Sequence, residues 1–121
     1  MSRVIHFEIG VDLPERAVLF YSEVFGWKIE KWQGPMDYWL IKTGQEQPGI
    51  DGAILKREDG NFSTVNTIGV NSVDEYLERI VRMGGTVVAP KMPIPGMGYF
   101  AYCLDSEGNK FGIMETDPTA H

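Results

Sequence analysis

Apolar residues alternate with polar ones at the start of the chain and then repeat every three to four residues. In the segment RVIHFEIG, residues 5, 7 and 9 are apolar and point to one side of an extended chain, whereas His6 and Glu8 point to the other. The residues that follow, up to Phe25, have apolar positions at helical spacing. The pattern predicts a strand over residues 3–10 and a helix over residues 13–25.

The same order of signals returns 59 residues later in the chain. Ile9-Gly10-Val11 matches Ile68-Gly69-Val70, and a second amphipathic pattern then predicts a helix over residues 73–84. The other predicted strands cover residues 28–33, 37–43 and 51–57 in the first copy, and 65–70, 86–89, 98–104 and 110–116 in the second. Each copy therefore predicts the element order β-α-β-β-β.

Polar residues and glycines mark the predicted ends of both helices. Asp12 is the expected N-terminal cap of the first helix, and Asn71 or Ser72 that of the second. Gly26 and the pair Gly84-Gly85 are expected to end the two helices, because glycine adopts the left-handed conformation that such ends require.

Composition and charge exclude several classes of protein. The chain has 121 residues, enough for one compact domain, and its net charge of −6 disfavours nucleic-acid and anionic membrane partners. A single cysteine, Cys103, excludes an intrachain disulfide. The sequence has neither the pattern of a signal peptide nor an apolar run of the ~20 residues that span a bilayer. We therefore expect a soluble cytoplasmic protein.

Three segments resemble a known superfamily. They are HFEIGVDLPERAVLFYSEVFGW, GIDGAILKRE, and the stretch from IGVNSVDEYLERIVRMGGT to the closing DSEGNKFGIME. Together they are similar to the vicinal oxygen chelate superfamily, which includes glyoxalase I, bleomycin-resistance and fosfomycin-resistance proteins and extradiol dioxygenases. The nearest subgroup is that of predicted enzymes related to lactoylglutathione lyase.

The resemblance implies an α+β fold made of two tandem βαβββ modules, residues 1–60 and 61–121. In this superfamily the strands form a curled mixed sheet around a cavity, with the helices outside. Members are commonly homodimers, so the resemblance also implies a homodimer here.

The superfamily's metal site takes one ligand from the first and one from the last strand of each module. By this resemblance His6 occupies the first position, Val65 or Asn66 the equivalent position in the second module, and Gly112 the last-strand position. The remaining position falls within residues 52–54, which contain no ligand type. A divalent metal needs three or four protein donors, so we expect no metal site and no cofactor.

A weakly bound divalent metal stays open as an alternative. It would need a rearranged site that combines His6 and Glu8 with an outside donor such as Asp51 or Cys103.

His6 and Glu8 are the candidate acid–base residues. They are two residues apart on one strand, so about 6.5–7 Å separates them along the chain. That distance suits two groups that bracket a ligand or share a water molecule. Histidine also exchanges its proton near neutral pH. The alternative is that both are satisfied by neighbouring polar groups and have no chemical task.

Further residues are candidates for the wall of a ligand cavity. A small-molecule site is mostly apolar with few polar groups, and several aromatic and apolar residues lie on or beside predicted strands. About half of them must turn towards the helices, and the sequence does not say which half. Gly112 is expected to enlarge the cavity, and the loop APKMPIPGMGYF to form its lid or rim. The predicted ligand-binding residues are His6, Tyr38, Trp39, Met92, Met97, Tyr99, Tyr102, Cys103 and Gly112, with Phe100 also on a predicted strand.

Three functions follow from these observations. The first is a metal-independent protein that binds a small apolar or aromatic molecule in the cavity between the modules. The second is a lyase or isomerase that uses His6 or Glu8 as acid or base. The third is a module that works through dimerisation or a protein partner.

Overall fold

The computed structural model describes residues 2–57 and 64–121. Two helices and eight strands follow one another in the order β-α-β-β-β-β-α-β-β-β, which confirms the predicted α+β class and both βαβββ modules. The elements are β1 (Arg3–Val11), α1 (Pro14–Phe25), β2 (Lys28–Lys31), β3 (Tyr38–Lys42), β4 (Asp51–Lys56), β5 (Thr64–Gly69), α2 (Val73–Arg82), β6 (Thr86–Ile94), β7 (Gly98–Leu104) and β8 (Lys110–Thr116).

The chain divides into two compact units, His6–Val65 and Met1–Ile5 with Asn66–His121. We call them the first unit and the second unit. The predicted boundary between the modules, residues 60 and 61, lies outside the described residues, and the cavity predicted between the modules stays a prediction. No helix in the described part of the chain is long and apolar enough to cross a membrane.

The strands of the first unit lie in the order β2-β3-β4-β1. β1 and β4 are parallel, and the other neighbours are antiparallel. Phe7 contacts Trp27, which in turn stacks on Tyr21 of α1 with 5.0 Å between ring centroids. Residues 7, 9 and 11 of β1 therefore point to the face that α1 covers, and this face also carries the buried side chains of Ile41 and Ile54.

The strands of the second unit lie in the order β5-β8-β7-β6, with β5 and β8 parallel. Its core consists of Val73, Ala101 and Ile113, which are all at most 1% exposed. Helix α2 packs on this core because its residues Tyr76, Leu77 and Ile80 repeat at helical spacing. Tyr99 and Phe111 complete the cluster from the sheet.

Strand β6 is longer than predicted and replaces most of the expected rim loop. The sequence predicts a strand over residues 86–89 followed by a loop, whereas the structure extends the strand to Ile94. Prolines usually interrupt a sheet because they lack a backbone donor, but an edge strand tolerates them, and β6 is last in the order of its unit. Two shifts of register, between Val87 and Ala89 and between Ala89 and Met92, accommodate the irregular strand.

The helix ends agree with the sequence at three of four positions. Ser72 Oγ accepts the N–H of Glu75 at 3.2 Å, and Gly26 ends α1 with φ of 73°. The backbone N–H of Gly85 bonds Ile80 O at 2.8 Å at the end of α2. The prediction that Asp12 caps α1 is wrong, because Leu13 occupies the cap position and makes no side-chain cap bond.

Candidate functional site

His6, Glu8 and Tyr38 meet on the face of the first unit opposite to α1. The pairing of β1 with β4 aligns His6 with Asp51 and Glu8 with Ala53. The pairing of β3 with β4 places Tyr38 beside Leu55 and Leu40 beside Ala53 on the same face. This polar group therefore lies among the apolar residues Leu40, Ala53 and Leu55.

The Tyr38 hydroxyl joins the two predicted acid–base residues. It donates to Glu8 Oε2 at 2.8 Å and lies 3.1 Å from His6 Nε2. Because the single phenolic hydrogen is used for Glu8, Nε2 must carry a hydrogen and donate it to the Tyr38 oxygen. The network thus assigns the Nε2–H tautomer to His6, which leaves Nδ1 as an acceptor, and Nδ1 has no hydrogen-bond partner among the described residues.

Burial and charge oppose each other at His6. Burial lowers the pKa of His6 below its ordinary value of 6.5, while Glu8 and Asp51 raise it by a smaller amount. His6 is therefore neutral at neutral pH. Glu8 is only 4% exposed, and its buried carboxyl oxygen Oε2 accepts the hydrogen bond of the Tyr38 hydroxyl.

The predicted ligand-binding residues of the second unit divide between two faces of its sheet. Tyr102 aligns with Gly112, and Met92 with Phe100, so these four residues share one face. Tyr99 and Cys103 alternate onto the face that α2 covers. Burial raises the pKa of the Cys103 thiol, which is typical of a packed and unreactive cysteine.

Two further predicted residues are placed apart from these groups. In the first unit Trp39 follows Tyr38 along β3 and points to the opposite face, that of Ile54. Met97 lies in the turn between β6 and β7 and is 55% exposed. The candidate site of the first unit therefore retains His6, Glu8 and Tyr38 but not Trp39.

Gly112 does not enlarge a cavity, contrary to the prediction. The ring of Phe100 covers it so closely that a Cβ at position 112 would lie 2.6 Å from Phe100 Cζ. The ring also contacts Tyr102 edge to face, with 4.7 Å between centroids. Glycine is required here because an aromatic side chain of the neighbouring strand occupies the space.

Thr67 is a buried polar residue that the sequence reasoning did not single out. It pairs with Gly112, is 2% exposed, and its hydroxyl has no hydrogen-bond partner among the described residues. The 59-residue repeat aligns Thr67 with Glu8 and Val65 with His6. The strand register likewise makes Phe100 the counterpart of Tyr38. The polar positions of the first module are thus largely apolar in the second.

Comparison with known proteins decides the family. The profile of the "Glyoxalase/Bleomycin resistance protein/Dioxygenase superfamily" matches residues 3–113. The chain belongs to this superfamily. A "Glyoxylase-like domain-containing protein" of Didymella fabae is 27% identical over 125 residues, with 91% of this chain and 94% of that protein covered.

Solved structures share the fold at low sequence identity. A methylmalonyl-CoA epimerase in complex with methylmalonyl-CoA and NH4+ has a TM-score of 0.71 and 17% identity, covering 99% of this chain and 98% of that one. The methylmalonyl-CoA epimerase from Mycobacterium tuberculosis has a TM-score of 0.69 and 14% identity, covering 95% and 88%. A hypothetical protein from Bacillus halodurans has a TM-score of 0.70 and 14% identity, covering 99% and 98%. At these identities the likeness establishes the superfamily fold and nothing finer.

The described donor residues of the first unit are not arranged as a metal site. Across residues 2–57 and 64–121, no three His, Cys, Asp or Glu side chains are grouped so that they could hold one. Near His6, the Glu8 carboxylate accepts from Tyr38, and Asp51 Oδ1 accepts from the backbone N–H of Thr43 at 2.9 Å. Cys103 belongs to the second unit. The expectation that no metal or cofactor is needed stays a prediction.

Proposed function

We propose that this protein is a small-molecule-binding member of the superfamily, whose ligand lies on the face of His6, Tyr38 and Glu8. The observation that carries the proposal is the Tyr38 hydroxyl held between His6 and Glu8. A few polar groups fixed in position on an otherwise apolar surface are typical of ligand sites. The proposed ligand is an apolar or aromatic molecule that is bound without a metal or cofactor.

The orientation of His6 indicates which polar group the ligand carries. The neutral ring donates through Nε2 to Tyr38, so Nδ1 accepts a hydrogen bond. A ligand hydroxyl supplies the matching donor, and the apolar body of the ligand would cover Leu40 and Leu55. Leu40 is 40% exposed, so a ligand there would remove apolar surface from water. We therefore expect phenols to bind better than their methyl ethers.

A second candidate function is acid–base catalysis of the isomerase or lyase type. The supporting observation is that burial keeps His6 neutral, so that Nδ1 is available as a base at neutral pH. A proton taken from a substrate carbon would form an imidazolium beside Glu8 and Asp51, and both carboxylates favour that charge. The epimerases among the structural neighbours are compatible with this candidate, because their names describe an isomerisation.

A screen of phenols separates binding from its alternatives. Saturation-transfer NMR with small phenols and their methyl ethers should show binding of phenols, and His6→Ala and Tyr38→Phe should weaken it by about tenfold, the usual effect of one hydrogen bond. His121→Ala removes the other histidine of the chain and should leave binding unchanged. Equal binding of ethers and phenols, or an unchanged affinity in His6→Ala, would contradict the proposal.

Proton exchange tests the catalytic candidate. Bound compounds that carry an acidic C–H should exchange it for deuterium in D2O, and His6→Gln should abolish the exchange while His121→Ala does not.

Metal analysis of the purified protein tests the proposal that the ligand is bound without a metal, and a metal occupancy above one half would overturn it. Sedimentation in the presence and absence of a bound phenol tests the homodimer that the resemblance to the superfamily implies. A dimer that binds none of the compounds would favour the interaction module instead.

A further inference from the structure

A cavity lies in the first unit, on the side of the sheet that α1 covers. Its volume is about 370 Å3. β1 and β4 are parallel, so both strands end at the same edge of the sheet, and α1 begins there. Val11 belongs to the lining and points to the face opposite to His6, so this cavity is separate from the site of the proposed function. Residues that line it include Leu13, Arg16, Ala17, Phe20, Tyr21 and Arg57.

Arg57 carries a positive charge that its described neighbours compensate only in part. Its Nη2 donates to Gly10 O at 2.9 Å, whereas the carboxylate of Asp12 lies 3.8 Å from Nη1. The Nε atom is buried and has no acceptor among the described residues. A guanidinium has five N–H donors and binds a carboxylate best through two parallel bonds, so Arg57 retains capacity for an anion.

Arg16 adds a second positive charge to the same cavity. It forms no ion pair within residues 2–57 and 64–121. Among the lining residues that the structure describes, two guanidinium groups and the carboxylate of Asp12 give a charge of +1, in a chain whose net charge is −6. The first turn of α1 has no side-chain cap; the partial positive charge of this helix end has the same sign, and the acidic residue Glu15 lies in the same turn. A balance of +1 suits a monoanion better than a dianion.

The rest of the lining is apolar and poorly covered. Leu13 and Phe20 are each 54% exposed, although both are large hydrophobic residues. Phe20 also contacts Tyr21 edge to face, with 5.2 Å between ring centroids. An occupant with a flat apolar body would therefore cover the surface next to the two arginines.

We propose that this cavity is a binding site for a small carboxylate with an aromatic or short aliphatic body. The carboxylate pairs with Arg57 and Arg16, and the body lies on Leu13 and Phe20. The volume falls within the range of small-molecule sites, about 300–1,000 Å3. The site differs from that of the proposed function in its face of the sheet, its charge and its ligand.

Calorimetry and NMR with three probes test the proposal. The probes are 4-ethylbenzoate, the neutral 4-ethylbenzyl alcohol of similar shape, and acetate, which has the charge without the body. We expect 4-ethylbenzoate to bind about tenfold or more tightly than either of the others. Its binding should perturb the backbone amides of Leu13 and Ala17. If the alcohol binds as tightly as 4-ethylbenzoate, the cavity is only an apolar groove. If acetate binds as tightly, the cavity is only a contact for anions. Either result overturns the proposal.

Matched variants assign the binding to this cavity. Arg16→Gln and Arg57→Gln should each weaken 4-ethylbenzoate binding about tenfold. Arg82→Gln, at the end of α2, makes the same change of charge elsewhere and should have no effect. The Arg16 side chain forms no hydrogen bond or ion pair with the residues that the structure describes, so Arg16→Gln remains a valid test if Arg57→Gln does not fold. An unchanged affinity of Arg16→Gln for 4-ethylbenzoate would refute the assignment of the ligand to this cavity. Tyr38→Phe changes the other proposed site and should leave the affinity for 4-ethylbenzoate unchanged, which separates the two sites.

Discussion

Replacing Tyr38 by phenylalanine removes only the hydroxyl that His6 and Glu8 share. The ring, its contact with Trp32 and the backbone of β3 are retained. The variant therefore isolates the polar contacts on which the proposed site depends.

The expected cost follows from the two bonds that are lost. The bond to the Glu8 carboxylate is 2.8 Å long and charge-assisted, and the bond to His6 is 3.1 Å long and neutral. Bonds to charged groups contribute about 1.5–3 kcal/mol and neutral ones about 0.5–1.5 kcal/mol. Because Tyr38 is half-buried and water replaces part of the loss, we expect a decrease of about 2 kcal/mol in the free energy of unfolding. For a chain of 121 residues this lowers Tm by about 8 °C.

Urea denaturation followed by circular dichroism measures the effect, and Tyr76→Phe is the matched control. Tyr76 also has a hydroxyl in a hydrogen bond, to Ser2 Oγ at 3.0 Å, but that bond is exposed and should contribute less than about 0.5 kcal/mol. An equal loss of stability in the two variants would refute the account of the His6–Tyr38–Glu8 network.

Three other predictions concern protonation, packing and capping. The pKa of His6 is below its ordinary value, so the unfolded state binds the proton more readily, and stability should decrease as the pH falls below 6.5. Gly112→Ala should reduce the free energy of unfolding by about 1–3 kcal/mol, because the added methyl group would lie 2.6 Å from Phe100 Cζ. Ser72→Ala should lower the free energy of unfolding by about 1 kcal/mol, because the helix cap is lost. Asp12→Ala removes no cap bond and should lower it by less than about 0.5 kcal/mol.

Each of these predictions has its own measurement and control. Stability measured against pH in wild type and His6→Gln checks the first, and an equal slope in both proteins would contradict it. The double variant Gly112→Ala with Phe100→Leu should recover part of the lost stability, and a purely additive result would show that the ring is not the obstacle. Equal costs of Ser72→Ala and Asp12→Ala would contradict the assignment of the caps.

The sequence predicted the elements well because both modules carry strong local signals. Periodicity and glycine stops placed α1 and α2 within two residues of their observed ends. The errors arose where neighbouring strands override local preference. Pro90 and Pro93 predict a loop, but the edge position of β6 lets the strand continue through them. Asp12 is a good cap in isolation, yet α1 begins with Leu13 at the cap position and the Asp12 side chain turns towards Arg57.

The candidate site was predictable in its residue types but not in its geometry. Strand alternation placed His6 and Glu8 on one face, at a distance that suits a bracketed ligand or a shared water molecule, whereas in the structure the Tyr38 hydroxyl lies between them. This contact is of the kind that the alternative interpretation predicts, in which a neighbouring polar group satisfies both residues. Tyr38 and Trp39 are consecutive, so only the register of β3 against β4 decides which of them shares that face. The effect of Gly112 likewise depended on the unseen position of the Phe100 ring.

The ring resonances of the two histidines test the central claim most directly. His6 lies in the proposed site and His121 in the C-terminal segment, and the chain has no other histidine. In an NMR titration with a phenol that binds the protein, we predict that the His6 Cε1–H signal shifts with the same Kd as calorimetry gives, while that of His121 does not move. A phenol that saturates the protein and leaves the His6 signal unchanged would contradict the proposed site.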